Sequence, residues 1–215
     1  MHLKVPARLM QTYKECFFDE TYFKGLPKHI KPSEFQTVID VGANVGYFSL
    51  AALSRNPLAK VFSFEPMPNN FDLLSAYKSE SEYSQWTIKN MAISGEAGQL
   101  ELHYNANEHF TTSASIGESD LEPDVAHVEA VTLEQALESE NLDYVDFLKL
   151  DCEGSEYPII YQSRKETLGK IGCISIETHK LDQDHYNRDD LASYLRKQGF
   201  HLRMDKDQIW AWRSK

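Results

Sequence analysis

The stretch TVIDVGANVGYFSL, residues 37–50, joins an apolar run to two glycines and then to apolar residues at helical spacing. This order predicts a buried β-strand, a tight turn and an α-helix. Gly42 and Gly46 let the backbone approach a ligand where a Cβ atom would collide, and the start of the helix presents free N–H groups. Asp40 precedes the first glycine by two residues, and a plain strand–helix turn offers no reason for it. The stretch therefore indicates a ligand-binding turn.

The spacing within this turn favours S-adenosylmethionine over a dinucleotide. Pyrophosphate-binding turns read G-x-G-x-x-G, whereas these two glycines stand four residues apart behind an acid. The pattern acid-x-Gly-x-x-x-Gly suits S-adenosylmethionine, which carries no phosphate and brings a sulfonium and an ammonium cation. An NAD-dependent oxidoreductase that uses the same turn and a following acid is the alternative.

Length and composition indicate one globular domain. The chain has 215 residues, of which 41% are hydrophobic and 26% are charged, enough for a single sizeable core. No window approaches the ~18 consecutive apolar residues of a membrane helix, and the first residues do not resemble a signal peptide. Cys16, Cys152 and Cys173 are scattered, which favours a reducing compartment over a disulfide framework or a zinc site. We therefore expect a cytoplasmic protein without a membrane partner.

The formal net charge of −11 argues against nucleic acid as a partner, because phosphate binding needs a basic face. A small neutral or cationic acceptor is easier to reconcile with this balance. The long polar stretch 105–124 predicts a lid or binding loop, since such loops are uncommon in compact domains.

Apolar runs that alternate with helical patterns predict an α/β fold, a Rossmann-like doubly wound and mostly parallel seven-stranded sheet. The last two strands have no helix between them, so we expect one antiparallel strand at the C-terminal end. Residues 1–36 are predicted as an N-terminal helical lead-in and residues 37–215 as the ligand-binding domain. Predicted strands after the first cover residues 60–64, 86–93, 98–104, 125–131, 144–150, 171–176, 200–203 and 208–212.

Polar side chains stand where five of these strands end, namely Asp40, Glu65, Asn90, Asp151 and Glu177. Ligands of parallel sheets bind at the carboxyl ends of the strands, so these residues should converge on one rim. Glu65 follows the second strand about 20 residues after the glycine turn, where a carboxylate grips the ribose hydroxyls of an adenosine cofactor.

Five segments, VIDVGANVGYFSL, FEPMPNN, NMAIS, LKLDCEGSE and ISIETH, occur in this order over about two thirds of the chain. With them the chain resembles class I S-adenosylmethionine-dependent methyltransferases of the FkbM type. The family looks like a set of O-methyltransferases that act on hydroxyls of sugars and secondary metabolites. The resemblance implies three groups of cofactor residues: Asp40, Gly42, Asn44 and Gly46 around the methionine part, Glu65 at the ribose, and Asn90 with Ala92 at the adenine.

The chemistry is predicted at Asp151, Glu177 and His179. His179 is the natural general base for removing a hydroxyl proton, because its ordinary pKa lies near neutrality. Asp151 orients either this histidine or the cofactor. Alternatively, Asp151, Glu177 and His179 bind Mg²⁺ or another divalent ion. Glu153, beside a glycine, is a further catalytic candidate and ranks above Glu156, whose place in the first turn of a helix the helix dipole explains. A non-catalytic binding module is the remaining alternative.

Overall fold

The computed structural model describes residues 3–105, 124–181 and 183–214, so the predicted lid at 105–124 falls almost wholly outside the described residues. Within that part of the chain, a seven-stranded sheet has the order β3-β2-β1-β7-β8-β10-β9, and a three-stranded sheet has the order β4-β6-β5. The strands are β1 Thr37–Val41, β2 Lys60–Phe64, β3 Trp86–Lys89, β4 Ala92–Ser94, β5 Gly98–Tyr104, β6 Asp124–Thr132, β7 Val145–Leu150, β8 Ile171–Glu177, β9 His201–Asp205 and β10 Gln208–Trp212.

The direction of the strands confirms the predicted Rossmann-like fold. β1, β2, β3, β7 and β8 pair in parallel, while β10 runs antiparallel to both β8 and β9. The one antiparallel strand of this sheet is therefore β10, which inserts between β8 and β9. The hairpin needs no crossover helix, because antiparallel neighbours can be joined by a short turn.

Helices cover both faces of the sheet, as its parallel strands require. The helices are α1 Met10–Phe17, α2 Tyr47–Arg55, α3 Pro68–Glu80, α4 Leu133–Ser139, α5 Glu156–Gln162, α6 Lys165–Gly169 and α7 Arg188–Lys197. α1, α2 and α3 pack in one core and α4 to α7 in the other, with the sheet between them. None of the helices in the described ranges has the length and apolar character needed to cross a membrane.

The predicted third strand, residues 86–93, is wrong as a single element. β3 pairs with β2 as far as Lys89, whereas β4 starts at Ala92 and pairs with β6 in the smaller sheet. Between them, the Asn90 amide donates hydrogen bonds to the carbonyl oxygens of Glu65 (2.9 Å) and Pro66 (3.1 Å). These two side-chain hydrogen bonds take the place of backbone pairing where the chain leaves the main sheet.

The segment before β1 is part of the core. Its buried side chains pack with those of α2, β1 and β7 in one cluster and comprise Leu9, Cys16, Tyr22, Phe23, Leu26 and Phe35. Phe18, just after α1, is by contrast 72% exposed. α1 is the α-helix of the described part of this segment, and mainly turns lead from it to residue 30. The boundary at residue 36 stays a prediction.

Candidate active site

A cavity of about 260 Å³ lies at the carboxyl ends of β1, β2, β7 and β8. Gly42, Glu65, Asp151 and Glu177 follow or close these four strands, and each of them lines the cavity. His179, two residues beyond β8, lines it as well. Three of the five predicted strand-end residues, Glu65, Asp151 and Glu177, thus meet at one rim, whereas Asp40 and Asn90 do not line the cavity.

The two glycines of the turn are required by the protein's own packing. Gly42 has φ +70°, and a Cβ atom there would lie 1.8 Å from the carbonyl oxygen of Asp151. Gly46 has φ +88°, and a Cβ atom there would lie 2.5 Å from Leu74 and 2.9 Å from Trp86. Gly42 and Asn44 line the cavity, whereas Gly46 faces the core. The glycines therefore set the shape of the turn by letting β7 and α3 approach it.

Glu65 is buried and holds the turn from the neighbouring strand. One carboxylate oxygen accepts a hydrogen bond from the backbone N–H of Asn44 at 2.7 Å. The other accepts from the backbone N–H of Met67 at 3.0 Å and from the side-chain amide of Asn70 at 3.3 Å. Burial raises the pKa of Glu65 to about 7, because desolvation outweighs the hydrogen bonds that favour the ionised form.

The end of the cavity beside Glu65 is apolar. Ala92 lines it, together with Met67, Leu100 and Leu102, which pack in the cluster of the smaller sheet. Asn90, predicted beside the adenine, is not among the lining residues, because its amide is used by the two backbone carbonyls described above. An apolar wall suits an adenine ring, and the place of Ala92 beside the adenine stays a prediction.

Lys149 lines the cavity as well and was not predicted from the sequence. Its ammonium group is buried and donates to the carbonyl oxygen of Gly42 at 2.6 Å. It also lies 3.3 Å from Asp40 Oδ1 and 3.5 Å from Asp151 Oδ2. Burial acts to lower the pKa of Lys149, but the two carboxylates outweigh it and raise that pKa, so the group stays charged. A lone lysine in an apolar central strand was the available signal.

Asp40 does not line the cavity. The side chain is fully buried, accepts a hydrogen bond from the Ser49 hydroxyl at 2.6 Å and pairs with Lys149. We predicted that Asp40 contacts the ligand directly. The structure instead places Asp40 behind Lys149, through which it acts on the glycine turn. Asp40 Oδ1 is buried. Within the part of the chain that the structure describes, this atom has the ion pair with Lys149 and no hydrogen bond.

Asp151 is held from two sides. Its Oδ2 accepts a hydrogen bond from the Tyr22 hydroxyl at 2.7 Å and lies beside Lys149, while Oδ1 is 3.9 Å from His179 Nε2. Burial acts to raise the pKa of Asp151, but Lys149 and the Tyr22 hydrogen bond outweigh it and lower that pKa. Asp151 is therefore ionised at neutral pH.

His179 is oriented by Glu156. This buried glutamate accepts hydrogen bonds from the His179 backbone N–H at 2.7 Å and approaches ring Nδ1 at 3.2 Å. Glu153 lies 3.4 Å from Nε2. Burial acts to lower the pKa of His179, but Glu156, Glu153 and Asp151 outweigh it and raise the pKa to about 9. The prediction that ranks Glu153 above Glu156 does not include the contact between Glu156 and His179. Glu156 also accepts a hydrogen bond from the Gly154 N–H at 2.8 Å.

Two further carboxyl groups in the cavity have raised pKa values. Desolvation is the largest cause for both Glu153 and Glu177 and brings each pKa to about 7. The possible metal ligands Asp151, Glu177 and His179 have ligand atoms that lie within 4.8 Å of one another. The site can therefore hold a proton on a carboxylate near neutral pH, and its geometry also allows a three-ligand cation site.

Comparison with known proteins identifies a family. Residues 40–202 match the methyltransferase FkbM domain. Among curated proteins, methyltransferase sdnD of Sordaria araneosa is 26% identical over 97% of this chain and 87% of its own length. The 31-O-demethyl-FK506 methyltransferase FkbM of Streptomyces tacrolimicus is 24% identical over 93% and 84%. The AMB antimetabolite synthetase AmbE of Pseudomonas aeruginosa is 27% identical over 92% of this chain, which spans 11% of that protein.

Solved structures show the same fold. Methyltransferase FkbM from Methylobacillus flagellatus KT aligns with a TM-score of 0.58 at 15% identity, over 93% of this chain and 47% of its own. A putative rRNA-methylase from Clostridium thermocellum aligns with a TM-score of 0.51 at 10% identity, over 99% of each chain. The match to the domain covers most of the chain, including the strands that form the cavity, and the chain belongs to the FkbM methyltransferase family.

Proposed function

We propose that this methyltransferase uses S-adenosylmethionine and methylates a hydroxyl group on a small molecule, a sugar or a secondary metabolite. The observation that carries the proposal is one cavity in which the Gly42 turn, Glu65 and the group Asp151, Glu177 and His179 meet. The name of one relative, 31-O-demethyl-FK506 methyltransferase, supports oxygen as the methylated atom. The family match counts against the NAD-dependent and the non-catalytic alternatives.

The acidic and apolar residues that line the cavity support this cofactor, which carries two cationic groups and an adenine. The turn Gly42–Val45 and Asp151 would surround its methionine part, and Lys149 would hold the turn in place. Glu65 would take the ribose hydroxyls, since a buried carboxylate already fixed by backbone donors is preorganised to accept more hydrogen bonds. Ala92 and its apolar neighbours would cover the adenine. When bound, S-adenosylmethionine supplies a methyl group carried on a sulfonium.

Removal of the hydroxyl proton falls to a carboxylate in this proposal. His179, with a pKa of about 9, is protonated at neutral pH and in that state cannot accept a proton. Glu153 and Glu177, with pKa values of about 7, are matched to proton acceptance near neutrality. His179 would then balance the negative charge of the carboxylates, held in place by Glu156.

A divalent ion such as Mg²⁺ at Asp151, Glu177 and His179 is the alternative device for lowering the pKa of the hydroxyl. Two observations weigh against it. An imidazole must lose its proton to bind a metal, and Lys149 already pairs with Asp151. We therefore place the carboxylate mechanism first.

Calorimetric titration with S-adenosylmethionine, S-adenosylhomocysteine and NAD tests the cofactor. The first two should bind and NAD should not; binding of NAD alone, or of none of the three, would contradict the proposal. A screen for S-adenosylhomocysteine release then tests the acceptor, with hydroxylated sugars and phenols compared with their O-methylated counterparts. Turnover should require the free hydroxyl, and equal turnover with the blocked compounds would exclude oxygen as the acceptor atom.

A further inference from the structure

The N-terminal segment lines the cavity with Thr12, Glu15, Cys16 and Tyr22, and Tyr22 joins it to Asp151. Its hydroxyl donates to Asp151 Oδ2 at 2.7 Å across 129 residues of sequence. Lys149 Nζ lies 5.3 Å from the centre of the Tyr22 ring and 3.5 Å from the same carboxylate oxygen. Oδ2 is therefore occupied by two donors from different parts of the fold, which leaves Oδ1 for His179 and the cavity.

Packing determines where the Tyr22 hydroxyl lies. The ring is 4% exposed and meets Phe48 edge-on at 5.2 Å between ring centres. The Trp210 indole donates to the carbonyl oxygen of Thr21 at 3.0 Å. Three residues after Tyr22, Gly25 lies so close to the same indole that a Cβ atom on Gly25 would be 1.9 Å from it. Burial first and Asp151 second raise the pKa of Tyr22, so the hydroxyl remains a donor.

We infer that Tyr22 is a positioning residue for Asp151. By holding Oδ2, it turns the carboxylate toward the cofactor cavity, so the site is complete only when the N-terminal segment is docked. The inference rests on the proposed function, because Asp151 must contact the cofactor for its orientation to matter. A rigid carboxylate also lowers the cost of ordering the site when the ligand binds.

A set of variants separates this role from simple structural support. Tyr22→Phe keeps the ring and removes only the donor, and Tyr13→Phe removes a hydroxyl from a ring of the same segment that packs on Phe17 and Tyr47. Calorimetry with S-adenosylhomocysteine should show affinity lowered about tenfold in Tyr22→Phe, the effect of one hydrogen bond to a charged group. Tyr13→Phe should bind like wild type.

The double variant tests whether Tyr22 acts through Asp151. In an Asp151→Asn background, the additional change Tyr22→Phe should alter affinity for S-adenosylhomocysteine less than twofold. Wild-type affinity in Tyr22→Phe would overturn the inference, and so would an undiminished tenfold effect in the Asp151→Asn background. If wild type does not bind S-adenosylhomocysteine, the proposed function itself fails, which is a different result from a silent Tyr22.

Hydrogen exchange on the wild-type protein gives a second measurement that does not depend on any variant folding. If docking of the segment favours binding of the ligand, binding must in turn stabilise the docked segment. S-adenosylhomocysteine should therefore slow exchange at the backbone amides of Thr21 and Phe23, which donate to the carbonyl oxygens of Glu15 and Glu20. Helix α7, which does not line the cavity and packs in the other core, is the internal control. Binding of S-adenosylhomocysteine without added protection in this segment would overturn the inference.

Discussion

Replacing Glu65 with glutamine measures how much unfolding free energy the protein loses by burying this carboxylate, which we assign to the ribose. Glu65 is 4% exposed, and its pKa rises from an ordinary 4.5 to about 7 on folding. Between these two pH values, the native protein holds a proton on Glu65 that the unfolded chain has lost. The free energy of unfolding should therefore fall as the pH rises through this window. The effect is fully present above pH 7 and absent below pH 4.5.

The magnitude follows from the size of the shift. A change of one pKa unit corresponds to about 1.4 kcal/mol, so the difference in stability between wild type and Glu65→Gln should change by about 2 to 3 kcal/mol between pH 5 and pH 8. Glutamine also places an amide donor against the N–H group of Asn44 or Met67, which costs about 1–3 kcal/mol at every pH. Only the first contribution depends on pH.

Urea unfolding of both proteins at pH 5, 6, 7 and 8 measures this difference, since all other titrating groups are shared. Glu80→Gln, on the exposed end of α3, is the matched control for the same substitution at the surface. At pH 8, S-adenosylmethionine should bind Glu65→Gln about tenfold more weakly than wild type. A difference in stability that stays constant from pH 5 to pH 8 would refute the raised pKa. Unchanged affinity would remove Glu65 from the site.

Three further outcomes are expected. Gly42→Ala should lose at least about 3 kcal/mol of unfolding free energy in urea, because of its positive φ and the contact with Asp151, whereas Gly169→Ala, in open space, should stay within about 1 kcal/mol. In the wild type, kcat/KM should rise with pH through about 7. His179→Gln should move that rise to higher pH, because the variant loses a cation beside Glu177. A rise near pH 9 that vanishes in the variant would restore His179 as the base. Treatment with EDTA should change the rate less than twofold, and abolition with recovery on adding Mg²⁺ would favour the metal alternative.

The main sheet and its rim could be predicted from the sequence because short-range signals mark them. Apolar runs ending in an acid or a glycine predicted β1, β2, β7 and β8, and the ends of parallel strands must share an edge. The run 86–93 carried the same apolar signal but spans two sheets. Its division depends on pairing with β6, which begins some thirty residues later in the chain.

The contacts that tune the site could not be read from the sequence, because they join residues far apart in it. Tyr22 meets Asp151 across 129 residues, and Lys149 reaches Gly42 across 107. The predicted role of His179 rested on the ordinary pKa of histidine. Glu156, buried 23 residues earlier, shifts that pKa through the folded structure alone.

The contact between Trp210 and Thr21 has a consequence for synthesis on the ribosome. The indole that holds the Thr21 carbonyl belongs to a strand made 189 residues later. While the chain emerges, the Thr21 carbonyl and Gly25 lack the indole that contacts both of them, and closing so long a loop is slow. The N-terminal wall of the cavity therefore gains its last contact only after β10 has left the exit tunnel, so nascent chains lacking β10 should protect the segment around Thr21 less from hydrogen exchange.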